Sequence, residues 1–391
     1  MRMPDVIVIG AGPVGLLLTA ELRRLGVDVT TLERRPGPGD GTRAIGIHPP
    51  TLAALEASGA TARLLEDAVR VQRGEARADG RLVGAVDFRR LSTRFPFVAT
   101  LPQRLTETVL ADLAGPIERG VAVTAVRDHG DRMRVRSAEG REFTGRVVVV
   151  ASGWSGRALA YRSTALRVHE YRDRYLMTDT QLSASAPVAV IRLDAAGVME
   201  SFPLPGSARR FVLHDAEGGR DEPDARHERM RRALRERGEE EAADRMEAAT
   251  SFRVRRLVAP RLRRGGLVVV GDAAHEVSPI GGQGMNLGLL DAATLAPILA
   301  EGIRAGSLPS VALDRWERRR VRSARIAAGM ASVNTALGRP AGAVSHRIRA
   351  GALGMLLHSP VGAVLTRAYA MGFDADARAD FPQAPAARET I

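Results

Sequence analysis

Apolar residues fall into two rhythms along the chain. Short unbroken runs, Val6-Ile7-Val8-Ile9, Val147-Val148-Val149-Val150 and Leu267-Val268-Val269-Val270, are each followed by a glycine-bearing stretch. Runs of this kind, without polar alternation, predict parallel strands buried on both faces. A helical stretch to Leu25 stops at Gly26, and another strand, Val29–Leu32, ends in Glu33. Strand, helix and strand in that order predict a βαβ unit. Other segments are shorter or alternate: Leu82–Phe88, Val121–Val126, Met133–Arg136, Glu142–Phe143, Val188–Leu193, Val198–Phe202 and Arg210–His214. These predict antiparallel strands. Residues 220–248 are rich in Arg and Glu and read as a helical, solvated region. After Leu295 the pattern is helical, with Leu308–Arg325, then Gly351–Leu357 and Val361–Ala370 split by Pro360.

Composition narrows the function. At 391 residues the chain can bury a sizeable core and form two domains or more. It has no cysteine, which removes disulfides, thiolate metal sites, a redox-active dithiol and a cysteinyl-linked flavin. The net charge is +12, and every basic residue other than histidine is arginine. Those arginines are scattered among acids, aromatics make up only 4% and no groove-reading motif appears, so no nucleic-acid partner is expected. No apolar run approaches the ~18 residues of a membrane span. The Val6–Ile9 run leads straight into a glycine motif, not a cleavage site, so a cytoplasmic protein is expected.

Two glycine elements carry the candidate chemistry. The first is Gly10-Ala11-Gly12-Pro13-Val14-Gly15, placed between a strand and a helix, with Glu33 in register at the end of the next strand. Such glycines allow a tight turn and let pyrophosphate sit on the helix N-terminus, while the acid takes ribose hydroxyls. The second begins with Gly271-Asp272, turns at Pro279 and passes through Gly281-Gly282-Gln283-Gly284 into a helix from about Met285. A glycine lets a phosphate approach the backbone, a carboxylate accepts hydrogen bonds from sugar alcohols, and the helix start favours negative charge.

The second element resembles the GDAAH…P…GQGMN…G…DA motif of the FAD-dependent aromatic hydroxylases, the para-hydroxybenzoate hydroxylase-like flavoprotein monooxygenases. The resemblance implies an α/β fold: a glutathione-reductase-type FAD-binding Rossmann domain with an inserted mixed β-sheet substrate domain and a C-terminal helical segment. Residues 1–70, 97–165 and 252–300 are expected in the first, 71–96 and 166–251 in the second, and 301–391 in the third. It implies non-covalent FAD held by Gly10, Gly12, Pro13, Val14, Gly15, Glu33, Arg34, Arg43, Gln103, Arg104, Val126, Ser152, Gly271, Asp272, Pro279, Gly282, Gly284, Met285 and Asn286. Phe202, Pro203, Leu204, Pro279 and Ile280 are the matching candidates for the substrate pocket.

The activity so implied takes electrons from NADPH or NADH and an oxygen atom from O2, through a flavin C4a-hydroperoxide. It hydroxylates or epoxidises an aromatic, quinone-like or polyketide-type molecule. The substrate-activating base stays unassigned among His48, His169, His214 and His275. One departure stands out: the family has Asp in its DG motif where this chain has Ser152, which can hydrogen-bond a ribose but brings no charge. That motivates one alternative, a non-catalytic flavoprotein that holds a pathway intermediate. Another is a flavin-dependent reductase of isoprenoid-type substrates, which the apolar tail favours. A halogenase is excluded by the missing lysine and W-x-W-x-I-P motif. The tail helices are expected to pack on the core, with peripheral membrane contact as the competing expectation, in a monomer or homodimer. No thioredoxin-like domain is expected after Ala386.

Overall fold

The computed structural model describes residues 3–39, 44–216, 222–377 and 381. Two sheets organise it. The first has six strands in the order Arg263–Arg264, Leu267–Val269, Val147–Val150, Val6–Ile9, Val29–Glu33 and Glu118–Arg119. All its pairings are parallel except that of Arg263–Arg264 with Leu267–Val269. The three apolar runs thus lie side by side in its centre, buried along their whole length. Helix Pro13–Arg24 packs against helices Gln103–Ala114 and Gly284–Arg304. The antiparallel strands Val123–Asp128, Met133–Ser137 and Glu142–Gly145 add Met133 and Val135 to the same core.

The second sheet has eight strands: His275–Glu276, Thr250–Val258, His169–Gln181, Ala208–His214, Gly197–Pro203, Val188–Asp194, Arg73–Ala78 and Arg81–Asp87. It is mixed, because Arg73–Ala78 runs parallel to Val188–Asp194 while the other pairs are antiparallel. The 71–96 excursion therefore joins the strands of 166–251. The sheet does not stop at 251, however. Thr250–Val258 pairs with His169–Gln181, and His275–Glu276 forms the edge, so the expected boundary cuts through a strand.

Side-chain alternation gives this sheet two apolar faces. Leu176, Met199, Phe211 and Leu213 pack on Met230, Leu234 and Ala243 of helices Pro223–Arg235 and Glu240–Arg245. Tyr175, Met177, Val198 and Val212 point the other way and pack on Ile280. This second face meets the glycine loop.

Helix Gly284–Arg304 is long and apolar enough to cross a membrane, but it is mostly buried and serves as a core helix. Helix Ala343–His358 departs from expectation. It lies against the Arg81–Asp87 strand, with Leu357 over Gly84, and leaves Val344, Ile348 and Met355 exposed. The next helix, Val361–Tyr369, turns away by 95° after Pro360.

Candidate FAD site

The first glycine element sits where two parallel strands end together. Gly10 has φ +106°, and a Cβ there would lie 2.6 Å from Ser152 Cα and 2.7 Å from the Ala151 carbonyl oxygen. A Cβ on Gly15 would overlap the Gly10 carbonyl. Gly12 opens helix Pro13–Arg24 in extended conformation without a side-chain cap, and the space beyond its Cα is clear. With Pro13 first in the helix, the remaining first-turn N–H groups face that opening, as a pyrophosphate requires. Gly15→Ala is expected to cost about 1–3 kcal/mol by overpacking, read as a lower denaturation midpoint, because the obstructing atom is backbone.

Glu33 closes the far side. Its Oε2 accepts from the Ala11 N–H at 2.7 Å, and its Oε1 accepts from the Arg35 N–H and Nε, each at 2.9 Å. Burial pushes the carboxyl up, but these hydrogen bonds and the Arg35 charge outweigh it, holding Glu33 below the usual carboxylate range. A carboxylate with lone pairs to spare can still accept from ribose. Arg34 is exposed, and its neighbour Arg35 is the arginine that folds back over Glu33 and Ala11.

Val14 joins the two remote elements. Its side chain lies 3.2 Å from where a Gly271 Cβ would stand, and it occupies the space where one on Gly288 would. The Gly271 N–H donates to Asp291 Oδ2 at 3.0 Å. Asp291 also meets His275 Nε2 at 2.6 Å and accepts from Arg320 Nε at 2.7 Å, all three side chains fully enclosed. Arg320 continues to Asp374 and Asp376, fastening the end of the described chain to the same helix. Asp272 is exposed beside this buried knot.

The loop before the helix is shaped by Gly282, with φ +67° and its N–H donating to the Pro279 carbonyl at 2.8 Å. The Asn286 side chain holds this loop. It accepts from the His48 N–H at 2.9 Å and donates to the carbonyls of Gly46 at 2.8 Å and Gly282 at 3.0 Å. The helix begins at Gly284 with no side-chain cap, so the Gly284, Met285 and Asn286 N–H groups provide its positive end.

The other sequence candidates divide. Arg43 lies outside the described residues. Gln103 accepts from the Ala44 N–H at 3.3 Å and donates to Glu107 at 2.8 Å, steadying the chain just after Arg43. Arg104 is exposed. Val126 pairs with Val135 in the three-stranded sheet. The Ser152 hydroxyl is buried without a partner among the described residues and crowds Gly156. Nearby, Arg157 lies 2.8 Å and Arg255 4.5 Å from the Trp154 ring centre.

The pocket candidates fall at the end of strand Gly197–Pro203 and in the glycine loop. The Pro203 carbonyl accepts from Thr100 Oγ1 at 2.7 Å, and Leu204 is buried. Phe202 shares the face of Val198, and Ile280 packs on that face with Tyr175 and Met177. Of the histidines, His275 is bound to Asp291, His214 to Asp173 at 3.1 Å, and exposed His169 stacks edge-on against Tyr171. His48 adjoins Gly282, and burial pushes its imidazole down to about 4 against a smaller upward pull from backbone carbonyls. It is neutral at pH 7. Two features carried no sequence signal: Arg35, and a buried carboxyl, Glu200, on the sheet face that packs on Ile280.

The sequence pattern described as the FAD binding domain matches residues 3–330. The chain belongs to the FAD-dependent aromatic hydroxylase family. It is 32% identical to the 6-methylpretetramide 4-monooxygenase of Streptomyces rimosus, across 91% of this chain and 70% of that one. It is 29% identical to a rifampicin monooxygenase of Rhodococcus hoagii, across 81% and 68%. Among solved structures, the anhydrotetracycline hydroxylase of Streptomyces rimosus superposes with a TM-score of 0.75 at 27% identity, covering 95% of this chain and 76% of that one. The p-nitrophenol 4-monooxygenase of Pseudomonas putida shares the fold at a TM-score of 0.81 and 24% identity, over 96% and 98%. The hydroxylase-family fold accounts for the open Gly12 cradle, the Glu33 carboxylate and the uncapped Gly284 helix. All three fit FAD, and the protein is an FAD-dependent oxidoreductase.

Proposed function

We propose that this flavoprotein is a monooxygenase that uses NADPH or NADH and O2 to hydroxylate or epoxidise an aromatic, quinone-like or polyketide-type small molecule. The observation that carries the reading is the contact at Ile280, where the glycine loop packs on one apolar face of the eight-stranded sheet. The named activities of its relatives, on pretetramide, rifampicin and anhydrotetracycline compounds, supply the substrate class. Bound FAD supplies hydride acceptance and O2 activation. The chain supplies the rest. Backbone N–H groups at Gly284–Asn286 stabilise negative charge brought to the helix start. Tyr175, Met177, Val198, Val212 and Ile280 put apolar surface between that loop and the sheet, where a substrate bound beside them would be kept from water.

Ser152 favours a second reading, a flavoprotein that binds an intermediate without being reduced. Anaerobic mixing of holoprotein with each nicotinamide separates the two. Loss of the ~450 nm flavin band, followed by substrate-dependent O2 uptake on aeration, is the monooxygenase outcome. A band unchanged by either nucleotide, with aromatic candidates present, is the other. Ser152→Asp is expected to retain flavin and to be reduced roughly tenfold faster, about 1.4 kcal/mol of barrier.

A further inference from the structure

Glu200 is the polar residue that the fold leaves unexplained. On strand Gly197–Pro203 it alternates with Met199, so it shares the face of Val198, the face that packs on Ile280 of the glycine loop. Its cross-strand neighbours are Ile191 on one side and Val212 on the other, both in the apolar cluster that contains Ile280. It keeps only 4% of its surface accessible. No hydrogen bond or ion pair reaches it among the described residues, and burial alone pushes its carboxyl up to about 8. The buried Tyr175 hydroxyl, which lies beside Thr335, and the Tyr369 hydroxyl are both close enough to be raised by its charge, after burial itself. Unlike the Tyr175 hydroxyl, its oxygens are not among the fully sealed side-chain atoms.

A carboxyl in that setting costs stability unless something pairs with it. We propose that Glu200 is a substrate-recognition residue, whose carboxyl donates a hydrogen bond to an uncharged ketone or quinone oxygen of the aromatic substrate and excludes aromatics that carry a carboxylate. The proposal rests on the proposed function and on the substrate binding against this face of the sheet. The other charged or titratable groups on that face are Asp179 and Arg210, paired with each other at 2.6 Å, and His214, held by Asp173. Asp173 and Arg339 in turn act on Tyr175. At pH 7 Glu200 is therefore mostly a neutral donor, and donation is lost as pH rises through about 8.

The test is titration of the holoprotein with 9-fluorenone, which has no titratable group, and with 9-fluorenone-2-carboxylate, followed by the change in flavin absorbance. Wild type is expected to bind the ketone at least roughly tenfold tighter than the carboxylate, and to bind it less well at pH 9 than at pH 6.5. Glu200→Gln, whose amide still donates, should keep the ketone at both pH values. Glu200→Leu should lose roughly tenfold or more while its Tm equals or exceeds that of wild type, a pairing that a merely structural role would not produce. Equal binding of the ketone by Glu200→Leu and wild type, or no preference for the ketone in wild type, overturns the proposal. Should Glu200→Leu fail to fold, a wild-type pH dependence persisting in Glu200→Gln overturns it equally. Glu200-dependent binding in a protein that neither nicotinamide reduces would sink the monooxygenase reading and leave this assignment standing.

Discussion

Asp291→Ala is expected to lose about 3–5 kcal/mol of folding stability, seen as a lower midpoint in urea, and to emerge with little flavin. The carboxylate is fully enclosed and receives three groups at once: the Gly271 N–H, Arg320 Nε and His275 Nε2. Removing it takes one carboxylate from an enclosed guanidinium, which among the described residues keeps Asp374, Asp376 and the Leu287 carbonyl. It also frees Gly271, whose position against Val14 joins the two FAD elements. The same group sets an acid limit. Burial pushes Asp291 up, but the His275 and Arg320 charges prevail and hold its carboxyl below the usual range. A lowered folded-state pKa means its contribution is complete above about pH 4, the unfolded value, and is lost as pH falls through the folded one. Wild-type stability should therefore fall on acidification from pH 4 downward, and Asp291→Ala should show less of that slope. An Asp291→Ala protein with wild-type midpoint and flavin content would contradict this account.

Asp272→Ala should behave in the opposite manner. The residue is exposed, at the end of the Leu267–Val269 strand and next to the Gly271 that touches Val14. We propose that it accepts from the cofactor's hydroxyls, a charged hydrogen bond worth about 1.5–3 kcal/mol. FAD affinity should drop roughly 10–100-fold, measured by quenching of flavin fluorescence on titration of apoprotein, while the apoprotein Tm stays near wild type. Full FAD occupancy in Asp272→Ala would remove this residue from the site. The two substitutions thus separate the carboxylate that holds the fold at Gly271 from the one proposed to meet the cofactor.

The strands of the six-stranded sheet could be read from sequence because a parallel strand covered on both faces must be apolar throughout, and Val147–Val150 is four valines. The glycines could be read because backbone, not side chain, occupies the space beyond Gly10 and Gly15. What escaped depended on pairing. Thr250–Val258 joins the second sheet by its register with His169–Gln181, and that register is a long-range choice. Arg35 and Arg34 are indistinguishable until the chain curls and one meets Glu33. Glu200 lies in a plainly alternating strand, and only the identity of its neighbours, Ile191 and Val212, shows that its side is the enclosed one. Helix Ala343–His358 misled for the converse reason: its apolar composition resembles a core helix, yet Met355 and Ile348 are exposed.

The most direct measurement is the visible absorbance spectrum of the purified protein. FAD held between Gly12, Glu33 and the Gly284 helix start predicts flavin bands near ~370 and ~450 nm, at about one flavin per chain after loading. A colourless protein that takes up no FAD from solution contradicts the account at its root.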